Sequence, residues 1–188
     1  MCNRYRLSAT EADLAAALGV ELDDVSLPPD ELFPKRPALV VHSEGSGRCP
    51  EVMRWGFPGP AGAKAPVTNV RNLESLFWRG VLGQAAQRCL VPATEFCEWE
   101  GEPGHKLARW FSVPSRSIFN FAGVWRETAE GRVFAILTCE PNALVAAVHP
   151  KAMPVILHAE DEAAWLGDDW AEVRALAGPY PSQLMAVH

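Results

Sequence analysis

Residues 88–100, RCLVPATEFCEWE, decide how this chain is read. The stretch carries Val91, Thr94, Phe96 and Trp99, and Phe96, Cys97, Glu98 and Trp99 alternate in facing, so the segment reads as a strand. HKLARWFSVP (105–114), SIFNFAGVW (117–125) and RVFAILTCE (132–140) repeat the signal, separated by the turns GEPG, SR and AEGR. That pattern predicts a meander of antiparallel strands.

Working outward, PALVVHSE (37–44) and PEVMRWGFP (50–58) predict two further strands joined by a Gly/Ser turn. PGPAGAKAP (58–66) holds too many Pro and Gly residues for a regular element. SATEADLAAALG predicts a helix over about Glu11–Leu18, with Ser8 as N-cap, Glu11 completing a capping box and Gly19 as the stop. LESLFWRGVLGQAAQ (73–87) and PNALVAAV (141–148) read as short helices, and MPVIL (153–157) as a buried strand. EDEAAWLG and DWAEVRALAG are helices with acidic first turns, as the helix dipole favours. The expected fold is α+β: one domain over residues 1–188, with a curved, barrel-like, mostly antiparallel sheet flanked by short helices.

The chain has 188 residues and a formal net charge of −6, enough length for a core without staples and no advertisement of nucleic-acid binding. Acidic residues concentrate in ELDDVSLPPDE and AEDEAAWLGDDWAE, whereas the middle is rich in Arg. A local basic face of that kind suits a short, strand-limited contact. The five cysteines form no C-x-x-C pair, and the histidines stand at no ligand spacing, so neither a disulfide framework nor a metal site is expected. Cys89, Cys97 and Cys139 lie in apolar strand-like runs and read as small buried hydrophobes. No apolar run is long enough to span a bilayer and no signal peptide is recognisable, so a cytoplasmic, cofactor-free monomer is expected.

Four stretches place polar residues where a simple core needs none. The first is MCNRY: trimming of Met1 would leave Cys2 with a thiol and a free amine on one residue. With an amine pKa of about 8, roughly a tenth is neutral at pH 7, and such an aminothiol condenses with aldehydes. Position alone is equally compatible with a cysteine that merely tolerates Met removal. The second is TNVRN (68–72) followed by Arg79: Asn69 offers a donor and an acceptor, Arg71 and Arg79 offer phosphate-matching forks, and a helix-capping loop is the plainer alternative. In the third, FCEWE, desolvation of Glu98 beside aromatics would raise its pKa toward acid–base values, unless it faces solvent. In the fourth, VHPKAMPVIL, His149 sits in a Pro-bounded turn with Lys151 close behind, as either a proton donor or an incidental turn residue.

MCNRY, NVR, RCLVPATEFCEW, FAGVW and HPKAMPVIL occur in the order and at about the spacing of the SRAP family (SOS response-associated peptidase, or abasic-site-processing, proteins), which the chain resembles from Cys2 to Leu157. The resemblance implies that Cys2, freed of Met1, bonds covalently to the aldehyde of an abasic site in single-stranded DNA as a thiazolidine. It also implies lyase-like Schiff-base chemistry, and removal by the protein itself of residues ahead of the Cys, hence a peptidase (hydrolase) name and a place in the DNA damage response. By the same resemblance Asn69, Glu98 and His149 join Cys2 as catalytic residues. Arg4, Arg71, Arg79 and Lys151 contact DNA, with Trp55 of MRWGF placed beside them as a stacking ring; the other six tryptophans are assigned to packing. Departures are Asn3 for the family's Gly, Asn-Val-Arg for Asn-Ala-Arg, Glu74 shifted by one, and one extra residue in His-Pro-Lys-Ala-Met-Pro. Two other functions fit the same residues: an N-terminal-nucleophile peptidase or amidase using the Cys2 thiol, and a non-catalytic nucleic-acid adaptor.

Overall fold

In the computed structural model, residues 2–45, 47–60, 63, 65–102 and 104–188 are described. The elements in chain order are β1 (Tyr5–Arg6), α1 (Glu11–Leu18), β2 (Glu31–Leu32), β3 (Pro37–Glu44), β4 (Gly47–Trp55), β5 (Asn69–Val70) and α2 (Leu76–Leu82). There follow β6 (Arg88–Ala93), β7 (Glu95–Glu100), β8 (Leu107–Ser112), β9 (Phe119–Thr128), β10 (Gly131–Cys139) and α3 (Ala143–Ala146). The last are β11 (Met153–Pro154), β12 (Ile156–Leu157), α4 (Glu162–Trp165), α5 (Trp170–Ala175) and β13 (Ala186–Val187), with short 3-10 turns between some of them.

The expected α+β class holds, and the sheet does close. Strands β4, β3, β6 and β9 pair antiparallel in turn, β9 pairs antiparallel with β10, and β10 returns to β4 in parallel register, Phe134 opposite Trp55. A second, wholly antiparallel sheet runs β13-β8-β7-β1-β2. Among the described residues no helix is long and apolar enough to cross a membrane.

RCLVPATEFCEWE is therefore not one strand. It breaks at Thr94, with β6 in the barrel wall and β7 in the second sheet. The break is held by hydrogen bonds: Thr94 donates its backbone N–H to the Arg6 carbonyl (2.7 Å), and its hydroxyl oxygen accepts from Ser8 N (3.2 Å). The strands 88–140 are accordingly shared between two sheets, β7 with β8 and β9 with β10, rather than forming one meander.

Helix α1 has the expected limits, and Gly19 closes it in the left-handed region (φ 65°). Its cap is Thr10 rather than Ser8: Thr10 Oγ1 accepts from Asp13 N (3.2 Å) and donates to the Asp13 carboxylate (2.6 Å). The later helices are short and are tied to the barrel by Arg88, a buried cation at the start of β6. It donates to the carbonyls of Trp165 (2.7 Å), Leu82 (2.5 Å) and Gly167, at the ends of α4 and α2, where helices leave carbonyls without partners. Replacing Arg88 by Met strips three carbonyls of their donor and is expected to cost about 3 kcal/mol. The guanidinium-chloride midpoint should fall with an unchanged slope. A loss below about 1 kcal/mol would show that packing alone holds these helix ends.

Candidate active site

Four separated segments converge beside the end of β1. Tyr5 lies opposite Phe96 and Arg6 opposite Glu95, and Cys97 N donates to the Arg4 carbonyl (2.9 Å). This antiparallel register carries Cys2, just ahead of β1, toward Glu98 on β7. On β7 the period of two puts Phe96 and Glu98 on one face. Phe96 stacks on Phe111 (ring centroids 5.0 Å apart), which turns Glu98 inward, to 3% exposure.

Asn69 arrives on β5, held parallel to β10 opposite Ile136. Its amide nitrogen donates to the Cys2 carbonyl (3.1 Å) and to Thr68 Oγ1 (2.8 Å). His149 lies just beyond α3, its N–H bonded to the Val145 carbonyl (2.7 Å) and its Nδ1 3.8 Å from the Glu98 carboxylate. Asn142 caps α3 through Val145 N (3.0 Å) and donates to the Tyr180 carbonyl (2.6 Å), fixing the direction of the turn. Cys2, Asn69, Glu98 and His149 are thus brought together.

Burial sets the electrostatics. It pushes the Glu98 carboxyl up to about 7, against the opposing positive charge of the amino terminus. It pushes the Cys2 thiol well above its ordinary value, and the Glu98 charge adds to that. His149 is pulled below the usual imidazole value, by burial first and then by the amino terminus, Lys151 and Lys106. Asn69 Oδ1 and Glu98 Oε1 are buried and have no hydrogen-bond partner among the described residues. Two orphaned polar atoms against one buried cysteine mark a place built to receive donors. Met1, whose removal the aminothiol reading requires, lies outside the described residues.

The basic residues divide. Arg79 and Lys151 are exposed. Arg4 is paired with Glu31, and its guanidinium lies 4.9 Å from the Trp110 ring centre and 5.6 Å from that of Trp99. Arg71 donates to the carbonyls of Lys151 (2.7 Å) and Cys139 (3.0 Å) and pairs with Glu140, so it ties the His149 turn to the end of β10.

Trp55 is not at the surface, contrary to the reading of MRWGF. It is fully buried against Tyr5 (5.2 Å) and Phe134 (6.2 Å), and its indole N–H donates to the Thr68 carbonyl (3.0 Å). Closure of β4 onto β10 puts it in the barrel core. The ring that sequence reasoning passed over is Trp99, partly exposed beside Arg4, with its N–H near Asn3 Oδ1 (3.4 Å). The signal was present: if Glu98 faces inward, the next residue on the strand must face out.

Two relatives named abasic site processing protein YoqW, from Bacillus subtilis (strain 168) and Bacillus phage SPbeta, are each 29% identical over 210 residues, spanning all of this chain and 91% of the relative. A solved protein from Bacteroides thetaiotaomicron shares the fold with a TM-score of 0.84 at 24% identity, over all of this chain and 91% of its own. Another from Bordetella bronchiseptica has a TM-score of 0.83 at 20% identity, over 99% of this chain and 98% of its own. The family model described as SOS response associated peptidase (SRAP) matches residues 1–188, and the chain belongs to that family.

Proposed function

We propose that this protein processes abasic sites in single-stranded DNA by forming a covalent crosslink through Cys2 once Met1 has been removed. The observation that carries the reading is the convergence of Cys2, Asn69, Glu98 and His149, with two buried oxygens that have no donor among the described residues. The names of the two Bacillus relatives point the same way.

The neutral Cys2 amine attacks C1′ of the ring-opened deoxyribose, giving a carbinolamine. Glu98, near half-protonated at neutral pH, gives its proton to the departing hydroxyl, so water leaves and the imine forms. The thiol then adds across the C=N bond: sulfur bonds to carbon, the thiol proton passes to nitrogen, and a five-membered thiazolidine closes. The balance is the loss of one water. His149, held toward its neutral form beside Glu98, accepts and returns protons. Proximity does much of the rest, since both nucleophiles arrive on one residue.

A buried thiol with a raised pKa is the reverse of an activated thiolate, which disfavours the peptidase mechanism that starts from sulfur. Here the amine opens the reaction and the thiol completes it. Arg79 and Lys151 are free to meet phosphates, and Trp99 with Arg4 offers a surface for a neighbouring base. As in the rest of this reading, residues 1–188 act as a single domain.

The test is a denaturing gel with an oligonucleotide bearing one abasic site. The processed chain should give a heat-stable crosslink. Cys2→Ala and Cys2→Ser should give only a reducible Schiff base, trapped by borohydride, and a Met1-retaining form should give neither. Equal crosslinking by the Met1-retaining form would end the aminothiol mechanism.

Glu98→Gln should slow crosslinking by about a hundredfold while leaving DNA affinity within about twofold. The pH profile supplies the sign. The rate rises as the amine, with a pKa of about 8, loses its proton, and falls as Glu98 loses its own near pH 7, giving a bell. Glu98→Gln should abolish the alkaline limb; an unchanged limb would remove Glu98 as the acid.

A further inference from the structure

Asn69 donates through one nitrogen to two acceptors, and the second of them has no role in the chemistry above. A carbonyl oxygen can only accept, so the Cys2 carbonyl (3.1 Å) requires the NH2 end of the Asn69 amide to face it. One such bond leaves a primary amide free to rock, because its terminal torsion is broad. Thr68 Oγ1, at 2.8 Å, takes the second N–H and removes that freedom. The other oxygen, Oδ1, is then the single open valence of the side chain, and it is buried and unpartnered among the described residues.

Thr68 is itself held on three sides. Its carbonyl accepts from Trp55 Nε1 (3.0 Å) and from Ile136 N (3.1 Å), fixing its backbone against the barrel. Its methyl group lies over Gly56, where a Cβ would come within 3.4 Å of Thr68 Cγ2 and 2.8 Å of Pro66 Cβ. Gly56 adopts φ 124°, a conformation left to glycine, and the space it leaves is closed mainly by Pro66, with the Thr68 methyl at its edge. With its carbonyl held by both bonds, the Thr68 backbone keeps the hydroxyl within reach of Asn69.

We infer that Thr68 is a positioning residue: it locks the Asn69 amide so that Oδ1 presents an acceptor to an N–H or O–H of the reacting pair, the Cys2 amine or a sugar hydroxyl. This rests on the aminothiol reading above, and it adds a residue to that reading. Thr68 touches neither reactant. Its effect passes wholly through Asn69.

The experiment compares Thr68→Val, which keeps the shape and loses the hydroxyl, with Thr68→Ser, which keeps the hydroxyl. Single-turnover crosslinking at saturating abasic single-stranded DNA should slow about tenfold in Thr68→Val and stay within about twofold in Thr68→Ser. Affinity for an oligonucleotide carrying a tetrahydrofuran abasic analogue should be unchanged in both. In the Asn69→Ala background, Thr68→Val should add nothing, as expected for two residues acting as a unit. Crosslinking by Thr68→Val at the parental rate, equal slowing by Val and Ser, or full additivity with Asn69→Ala would each overturn the inference.

A readout without DNA separates this from the function itself. Nuclear magnetic resonance should show both Asn69 side-chain amide protons protected from exchange in the parent, and one released in Thr68→Val. Protection unchanged in Thr68→Val overturns the positioning role. A parent chain that shows the protection yet forms no crosslink overturns instead the abasic-site reading on which the role depends.

Discussion

The register between β1 and β7, with Tyr5 opposite Phe96, is the constraint on which the site depends. Strand side chains alternate, so a slip of one residue would send Glu98 outward and bring Trp99 in. Several contacts oppose the slip. Phe96 is stacked on Phe111 and set edge-on to Phe121; Tyr5 is wedged edge-on against Trp55 (5.2 Å) and Phe121 (5.7 Å) in the core. Thr94 pins the entry to β7 by its bonds to Arg6 and Ser8. Aromatic packing in the core thus determines which way a carboxylate faces several ångströms away.

What the register creates is locally unfavourable. A carboxyl at 3% exposure, a cysteine with no exposure and two oxygens unpartnered among the described residues lie within one cluster. Each unsatisfied buried polar group costs about 1–3 kcal/mol. The closed barrel and the Arg88 clasp on the helix ends are where the offsetting stability resides, away from the cluster. Two of the buried polar atoms left without partners among the described residues thus lie beside Cys2, where chemistry is expected.

The parts of the fold legible in the sequence were those encoded by neighbours in the chain. Helix α1 ran between a capping segment and Gly19, and the limits of β3 followed hydrophobic patterning, whereas the helix read over residues 73–87 is confined to Leu76–Leu82. Ser8 was misread as the cap of α1: Thr10 is the residue directly ahead of Glu11, and Asp13 reciprocates its bond. The division of residues 88–100 was hidden, because an apolar run leads straight up to Thr94 and the partners that hold the break, Arg6 and Ser8, are remote in sequence. Trp55 was misplaced for a similar reason: only the parallel pairing of β4 with β10 buries it. Within the site, the residue types were readable from MCNRY, TNVRN, FCEWE and VHPKAM. The orientation of Asn69, and the role of Arg71 in tying down the His149 turn, depend on long-range bonds that no local pattern encodes.

One low-dielectric environment acts on three titrating groups with different consequences. Burial favours the neutral form of each, so it lifts the Glu98 carboxyl into a range where it can give up a proton near neutrality. The same burial keeps His149 toward its neutral form, 3.8 Å from the Glu98 carboxylate. It also keeps the Cys2 sulfur as a thiol, which in the proposed chemistry withholds the more reactive nucleophile until the imine has formed. The proposed order of events, nitrogen before sulfur, agrees with this effect of burial. A water-filled cleft with the same four residues would leave Glu98 ionised and lose its proton donor, so the closed packing around Cys2 belongs to the proposed chemistry as much as the side chains do.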